Sequence, residues 1–362
     1  DLIPLWVADM DFATAPFVTD AIRKRCENEV LGYTGKPDSY YNAIINWVKQ
    51  RYDLVVAKEM INFVPGIVPG IGMAMNCFTQ KGDKVMIQPP VYHPFAWVTT
   101  RNERTLVTNP LKWENGMYRM DLDTFREQIK GCKLFILCNP HNPGGVVWTE
   151  AELRAIADIC YDEKVLVFSD EIHADLTLPP HTHRPFATVS EKARMNSVTF
   201  MSPSKAFNMP GLSASHALIF NEDLRKRFRI YMDAGELDMG HVFAFLSVEA
   251  AYSHGTEWLD QCLAYIQGNI DFVDDFLKNH APKIKAIRPE ASYLVWLDCR
   301  ELKLSQKDLN EFFVDKAHLA LNDGEMFGKE GIGFMRLNVA SPRCIIEKAM
   351  KQLADAYQLY IK

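Results

Sequence analysis

Between residues 84 and 220 the chain repeats one kind of segment: short, apolar and rich in β-branched residues, as in KVMIQ, TLVT, KLFILC, VLVF, SVTFM and HALIF. None alternates strictly between apolar and polar positions. Strands with this pattern are covered on both faces, as in a largely parallel sheet sandwiched by helices. One crossover is complete in the sequence. KLFILC leads into the turn NPHNPGG and then a helix opening at Thr149, with Glu152 three residues on as a capping box and Leu153, Ile156, Ala157 and Cys160 along one face. VLVF then brings the chain back into the sheet, so the fold class expected is α/β.

A chain of 362 residues is long for one core, and a large domain with a smaller companion is the expectation. Helical patterns over 241–280 lead away from the first sheet. Beyond them SYLVWLD and GFMRLNV read as strands, and SQKDLNEFFVDK and RCIIEKAMKQLADAY as helices, so a boundary is placed near residue 265. A net charge of -6 with both signs interspersed leaves no basic stripe for nucleic acid or an anionic membrane. The longest weakly polar run, FVPGIVPGIGMAMNCF from Phe63, is too short and too broken by proline and glycine to span a bilayer. Eight cysteines lie scattered without a C-x-x-C pair, and no charged-then-apolar leader opens the sequence as given; a reducing, cytoplasmic compartment is expected.

In open α/β sheets ligands sit outside the carboxyl ends of the strands. KLFILC delivers Asn139 and Asn142, VLVFS delivers Asp170, Glu171 and His173, and SVTFM delivers Ser202, Ser204 and Lys205. Each has an ordinary structural explanation when taken alone: turn chemistry for Asn142, a cap for Asp170, a satisfied core histidine for His173, solvation for Lys205. Three neighbouring strand ends loaded in this way are harder to explain so. A fourth feature, VPGIVPGIG at 64–72, has neither the lysine of a P-loop nor the spaced glycines of a dinucleotide fingerprint. Its glycines turning into the helix-like MAMNCF would nevertheless expose backbone N–H groups suited to a phosphate.

One cofactor uses all four. Pyridoxal phosphate would place its phosphate on the Gly66 turn and the serine hydroxyls, its ring nitrogen on Asp170, its phenolic oxygen on Asn142 and its aldehyde on Lys205. Displaced by a substrate amine, Lys205 would be free to move a proton at Cα.

NPHNPGG, SDEIH and SPSKAFNMPG, in that order and spacing, resemble the fold-type I pyridoxal phosphate enzymes of aminotransferase class I/II. LIPLWVADMDF, GYTG, PPVYHPF, SDEIHADL, SKAFN and MRLNVASPR are similar to the MalY/PatB-type cystathionine β-lyase branch of carbon–sulfur lyases, which includes the cystalysins. The resemblance implies an aspartate-aminotransferase-like fold. Its large domain, residues 32–265, would carry a mostly parallel seven-stranded sheet flanked by helices, and residues 1–31 with 266–362 would form a smaller α+β domain. It also implies that Tyr92 stacks on the cofactor ring and that Gly66, Ile67, Val68, Ser202 and Ser204 contact the phosphate. Arg336 would clamp the substrate α-carboxylate, and Tyr33 would reach into the active site of a partner subunit in a homodimer.

Two positions depart from the broad aminotransferase pattern: Ser213 stands where many members carry a phosphate-binding arginine, and His173 where they carry a tyrosine. Both departures are shared with the lyase branch. The reaction implied is α,β-elimination of L-cystathionine or a related sulfur amino acid (cysteine, cystine, an S-conjugate) to a thiol, pyruvate and ammonia. An aminotransferase shares the early steps and is the alternative. A cofactor-binding regulatory protein is a third reading, and a metal site at His173, His181 and His183 has no zinc signature to support it.

Overall fold

The computed structural model describes residues 2–360. A seven-stranded sheet forms its centre, in the spatial order Ile61–Val64, Ser215–Leu218, Ser197–Met201, Leu166–Asp170, Cys132–Cys138, Lys84–Ile87, Thr105–Thr108. The six apolar runs noted above all lie in these strands. Ser215–Leu218 is antiparallel to both of its neighbours, and the remaining pairs are parallel. Strand Cys132–Cys138 shows why no alternation is seen. Leu134 and Ile136 enter one core with Val64, Ile71, Phe168 and Phe200, whereas Phe135 and Leu137 enter another with Phe125, Leu153, Ile156 and Val167. Both faces are dry, and each large side chain contributes roughly 1.5–3 kcal/mol by leaving water.

Helix Glu150–Asp162 is the crossover read in the sequence. Thr149 accepts the Glu152 N–H, and the Glu152 carboxylate accepts the Thr149 N–H at 2.9 Å. A second, four-stranded antiparallel sheet runs Lys285–Ile287, Leu294–Asp298, Phe334–Asn338, Asn322–Asp323, with helices Thr256–His280 and Arg343–Tyr360 packed together beside it. Near the amino end, Ile3–Pro4 pairs in parallel with Leu319–Ala320, tying the start of the chain to this C-terminal part.

Strand Ile61–Val64 leads without a break into the glycine-rich run. Two local expectations are corrected. The following helix begins at Ile67 and runs to Phe78, rather than starting after Gly72. Gly70 therefore serves packing and not a turn: a Cβ there would lie 2.9 Å from Val64 Cγ2 and 3.2 Å from Phe200 Cε1, so glycine lets the helix approach the sheet closely. Finally, SQKDLNEFFVDK is α-helical only over Gln306–Glu311, and Phe312–Lys316 continue as a wider π turn.

Candidate active site

The parallel register sets three strand ends side by side: Cys138 faces Asp170, and Asp170 faces Phe200. Beyond them opens a cavity of about 220 Å³, walled by Asn142, Asp170, His173, Ser204, Lys205 and Tyr92 and floored by Gly66, Ile67, Val68 and Pro69. Asn142, Asp170, His173 and Ser204 are buried. Gly66 is the N-cap of helix Ile67–Phe78, with φ at +150°, so the first-turn N–H groups of that helix border the cavity floor.

Burial sets the electrostatics. It pushes the Asp170 carboxyl up to about 7, against the Ile172 N–H that donates to Oδ1 at 3.1 Å and the nearby Lys205. It pulls the Lys205 amine down to about 8, with the Arg336 charge acting in the same direction and Asp9 and Asp170 opposing. His173 is held near 3 by burial and by the charges of Lys205 and Arg336, so its imidazole is neutral. Burial, then the Asp170 charge, raises the Tyr92 phenol.

Arg336 does not point to solvent. It is 4% exposed, donating from Nη1 to Asn142 Oδ1 at 3.1 Å and from Nη2 to the Trp6 carbonyl at 3.0 Å and to Asn322 Oδ1, with its guanidinium over the Phe327 ring. Its Nε is buried without a partner. Ser202 stands behind the wall: its hydroxyl donates to the Ala214 carbonyl at 2.7 Å and accepts the Ser204 N–H at 3.1 Å. Tyr33 is not brought to its own chain's cavity; it is 98% exposed, beside a surface cleft formed by Leu31, Gly32 and Thr34 with Met239–Phe243.

Glu171 is fully engaged below the cavity, accepting from Ser169 Oγ and the Phe186 N–H and pairing with His183 Nε2, each at 2.8 Å. Nε2 of His183 is thereby occupied, and His181 lies 3.7 Å from Glu290. Among the described residues no group of three or more His, Cys, Asp or Glu is placed to hold a metal. Several wall residues were not singled out from the sequence, among them Ala8, Cys138, Ile172, Pro210 and Ser215. For Ala8 the signal is a long-range one, because its carbonyl accepts the Lys205 amine 197 positions later.

The model of the family described as aminotransferase class I and II matches residues 1–353. The chain belongs to the aminotransferase class I and II family. Several of its relatives are named as cystathionine β-lyases or C–S lyases, and others as aminotransferases. Cystathionine β-lyase PatB of Bacillus subtilis is 38% identical over 358 residues, covering 98% of this chain and 92% of that protein. The crystal structure of cystalysin from Treponema denticola, which contains pyridoxal 5'-phosphate, superposes with a TM-score of 0.96 at 35% identity, covering 99% of this chain and 91% of that one. The PLP-bound C–S lyase of Staphylococcus hominis gives 0.91 at 35% identity, with 98% and 91% covered. Family membership together with this similarity to β-lyases and C–S lyases over nearly the full chain supports a pyridoxal phosphate-dependent enzyme of the carbon–sulfur lyase type.

The cavity fits that cofactor by what its wall leaves unmet. Asn142 Nδ2 donates to no protein atom among the described residues, because Arg336 occupies only the oxygen of that amide. Among the same residues Asp170 Oδ2 accepts no hydrogen bond, and His173 Nδ1 is buried and unpartnered. A donor for a phenolic oxygen, an acceptor for a ring N–H and an amine for an aldehyde are thus all available. Among the described residues no helix is long and apolar enough to cross a membrane.

Proposed function

We propose that the chain catalyses α,β-elimination of L-cystathionine or a related sulfur amino acid, releasing a thiol, pyruvate and ammonia. The observation that supports this reading is the convergence of Asn142, Asp170, Lys205 and Arg336 at one set of strand ends, in a chain similar to β-lyases over nearly its whole length. Bound there, pyridoxal phosphate supplies an electron sink in conjugation with the substrate Cα.

Each side chain then has a definite task. Lys205 would hold the cofactor through its aldehyde and, once released, would take the proton from Cα, for which an amine lowered towards 8 is suited. Asp170, as carboxylate, holds a proton on the ring nitrogen. Asn142 would donate to the phenolic oxygen, and Tyr92 would cover the ring. Gly66, Ile67 and Val68 offer backbone donors to the phosphate at a helix amino end, joined by the Ser204 hydroxyl, while Ser202 orients Ser204 from behind. His173, neutral, borders the cofactor. Loss of the Cβ–S bond with the thiolate leaving, followed by addition of water, balances to thiol, pyruvate and ammonia.

Arg336 receives the α-carboxylate on its planar fork. A lysine in its place keeps a charge but loses the fork. Arg336→Lys should raise KM and lower kcat/KM by about 10- to 100-fold, the worth of one or two charge-assisted hydrogen bonds, with kcat falling less. Steady-state kinetics on one sulfur substrate separate the two constants, and an unchanged KM would remove Arg336 from carboxylate binding.

The smaller-domain division given above, a cytoplasmic homodimer and a contribution of Tyr33 to a second copy's site belong to the same proposal; the exposure of Tyr33 supports the last. The test of the reaction is pyruvate release from L-cystathionine by the cofactor-loaded protein with no keto acid present. Catalytic pyruvate is the expected result. Turnover that appears only on adding a keto acid would make the enzyme an aminotransferase instead.

A further inference from the structure

Residues 6–12 cross the mouth of the site as a strap with little regular structure, and side chains grip it from both flanks. On one side Arg336 holds the Trp6 carbonyl, and Asn338, two residues along the same strand, donates from Nδ2 to the Val7 and Asp9 carbonyls at 2.6 Å each. On the other side Asn208, three residues after Lys205, accepts the Met10 N–H at 3.0 Å and donates to the Met10 and Phe12 carbonyls at 2.8 and 2.7 Å. Between these grips the Ala8 carbonyl turns inward, where it accepts the Lys205 amine and, at 3.0 Å, the Tyr293 hydroxyl.

Asn208 is built for this single purpose. Both polar atoms of its side chain go to the strap, and its backbone sits at φ +51°, a conformation that asparagine and glycine tolerate best. A lysine ammonium is a compact charge on a flexible four-carbon stem, so a fixed acceptor decides where it rests. The charged or titratable groups facing that amine are Asp9, Asp170, Arg336, His173 and, across the shared carbonyl, Tyr293, and none of them makes a direct hydrogen bond with it.

We propose that Asn208 is a positioning residue for the reactive lysine: it holds the strap so that the Ala8 carbonyl fixes the Lys205 amine at the cavity wall and favours its protonated form, while Tyr293 competes for the same carbonyl. The assignment rests on Lys205 being the reactive amine of the reading above.

Two substitutions push in opposite directions. Asn208→Gly removes the three bonds on its own flank while tolerating the positive φ, so the Ala8 carbonyl is held from the Arg336 and Asn338 side alone and is a less fixed acceptor for Lys205. Tyr293→Phe leaves the Ala8 carbonyl to Lys205 alone. The readout is competitive acetylation of the full-length, cofactor-stripped chain at a series of pH values, with the Lys205 peptide quantified by mass spectrometry. The expected result is a Lys205 midpoint about half a pH unit lower in Asn208→Gly and higher by a similar amount in Tyr293→Phe. The Met10 amide should also exchange with deuterium at least about tenfold faster in Asn208→Gly. A purely structural role would loosen the strap without moving the two midpoints apart. Coincident midpoints, or shifts of the same sign, overturn the proposal. Should Asn208→Gly not fold, Tyr293→Phe decides alone: a raised midpoint supports the proposal, and any other result overturns it. Opposed shifts in the two variants, with a wild type that makes no pyruvate, would sink the lyase reading and leave the strap's role standing.

Discussion

Lys205→Ala should abolish pyruvate release from L-cystathionine, an expected loss of at least about 10⁴-fold, because one deletion removes both the proposed covalent anchor and the proton acceptor. Of the residues lining the cavity, Lys205 is the one that carries an amine, and His173 is buried, neutral and held near 3, so no neighbour can take over as base near neutral pH. Lys205→Arg separates charge from proton transfer. It keeps a cation beside Asp170 but cannot give up its proton, and it should be as inactive as the alanine variant. The fold survives both changes, since the lysine makes one hydrogen bond, to the Ala8 carbonyl, and its burial disfavours its own charge. Coupled pyruvate assays alongside circular dichroism test this. Activity in either variant within tenfold of wild type would move the chemistry to a different group.

The parts of the site that the sequence disclosed are local ones. Asn142, Asp170 and Lys205 each follow directly on a run of buried strand residues, so knowing that the strands end together was enough to group them. Strand direction is another matter. HALIF is as apolar as its neighbours, yet it runs antiparallel, because burial on two faces constrains side-chain character and says nothing of polarity along the sheet. Glycine misled in a related way. At Gly70 the constraint is contact with Val64 and Phe200 across a helix–sheet interface, which a one-dimensional pattern cannot distinguish from a turn. The contacts of Arg336 with Trp6 and of Lys205 with Ala8 close loops of hundreds of residues, and their strap-side partners are backbone carbonyls that any residue would carry. Here the fold supplies what residue type does not.

Asp170→Asn is expected to lower kcat/KM by about 10²- to 10⁴-fold, since a neutral amide cannot hold a proton on the ring nitrogen and the electron sink is weakened. The same substitution has a consequence independent of turnover. In the cofactor-free fold burial raises the Asp170 carboxyl from an ordinary 3.8 to about 7. Below about pH 4 the group is neutral whether the chain is folded or not, and it costs nothing. Between about 4 and 7 the unfolded chain has released the proton while the folded chain retains it, so rising pH pulls the equilibrium towards unfolding. Above about 7 the penalty of a buried, poorly paired carboxylate is complete and constant. Asparagine carries no charge at any of these values. The thermal midpoint of cofactor-free Asp170→Asn should therefore match wild type near pH 4, climb above it through pH 7 and stay above it at pH 8. The shifts of His173 and Lys205 belong to both proteins and largely cancel in the difference. With pyridoxal phosphate bound, a protonated ring nitrogen gives the carboxylate its missing counter-charge, so the order reverses and wild type becomes the more stable protein at pH 8. Thermal unfolding of both proteins over pH 4–8, with and without cofactor, measures this. Difference curves that stay flat without cofactor would mean that Asp170 is not held protonated by its surroundings, and a failure to reverse with cofactor would mean that it does not meet the ring nitrogen.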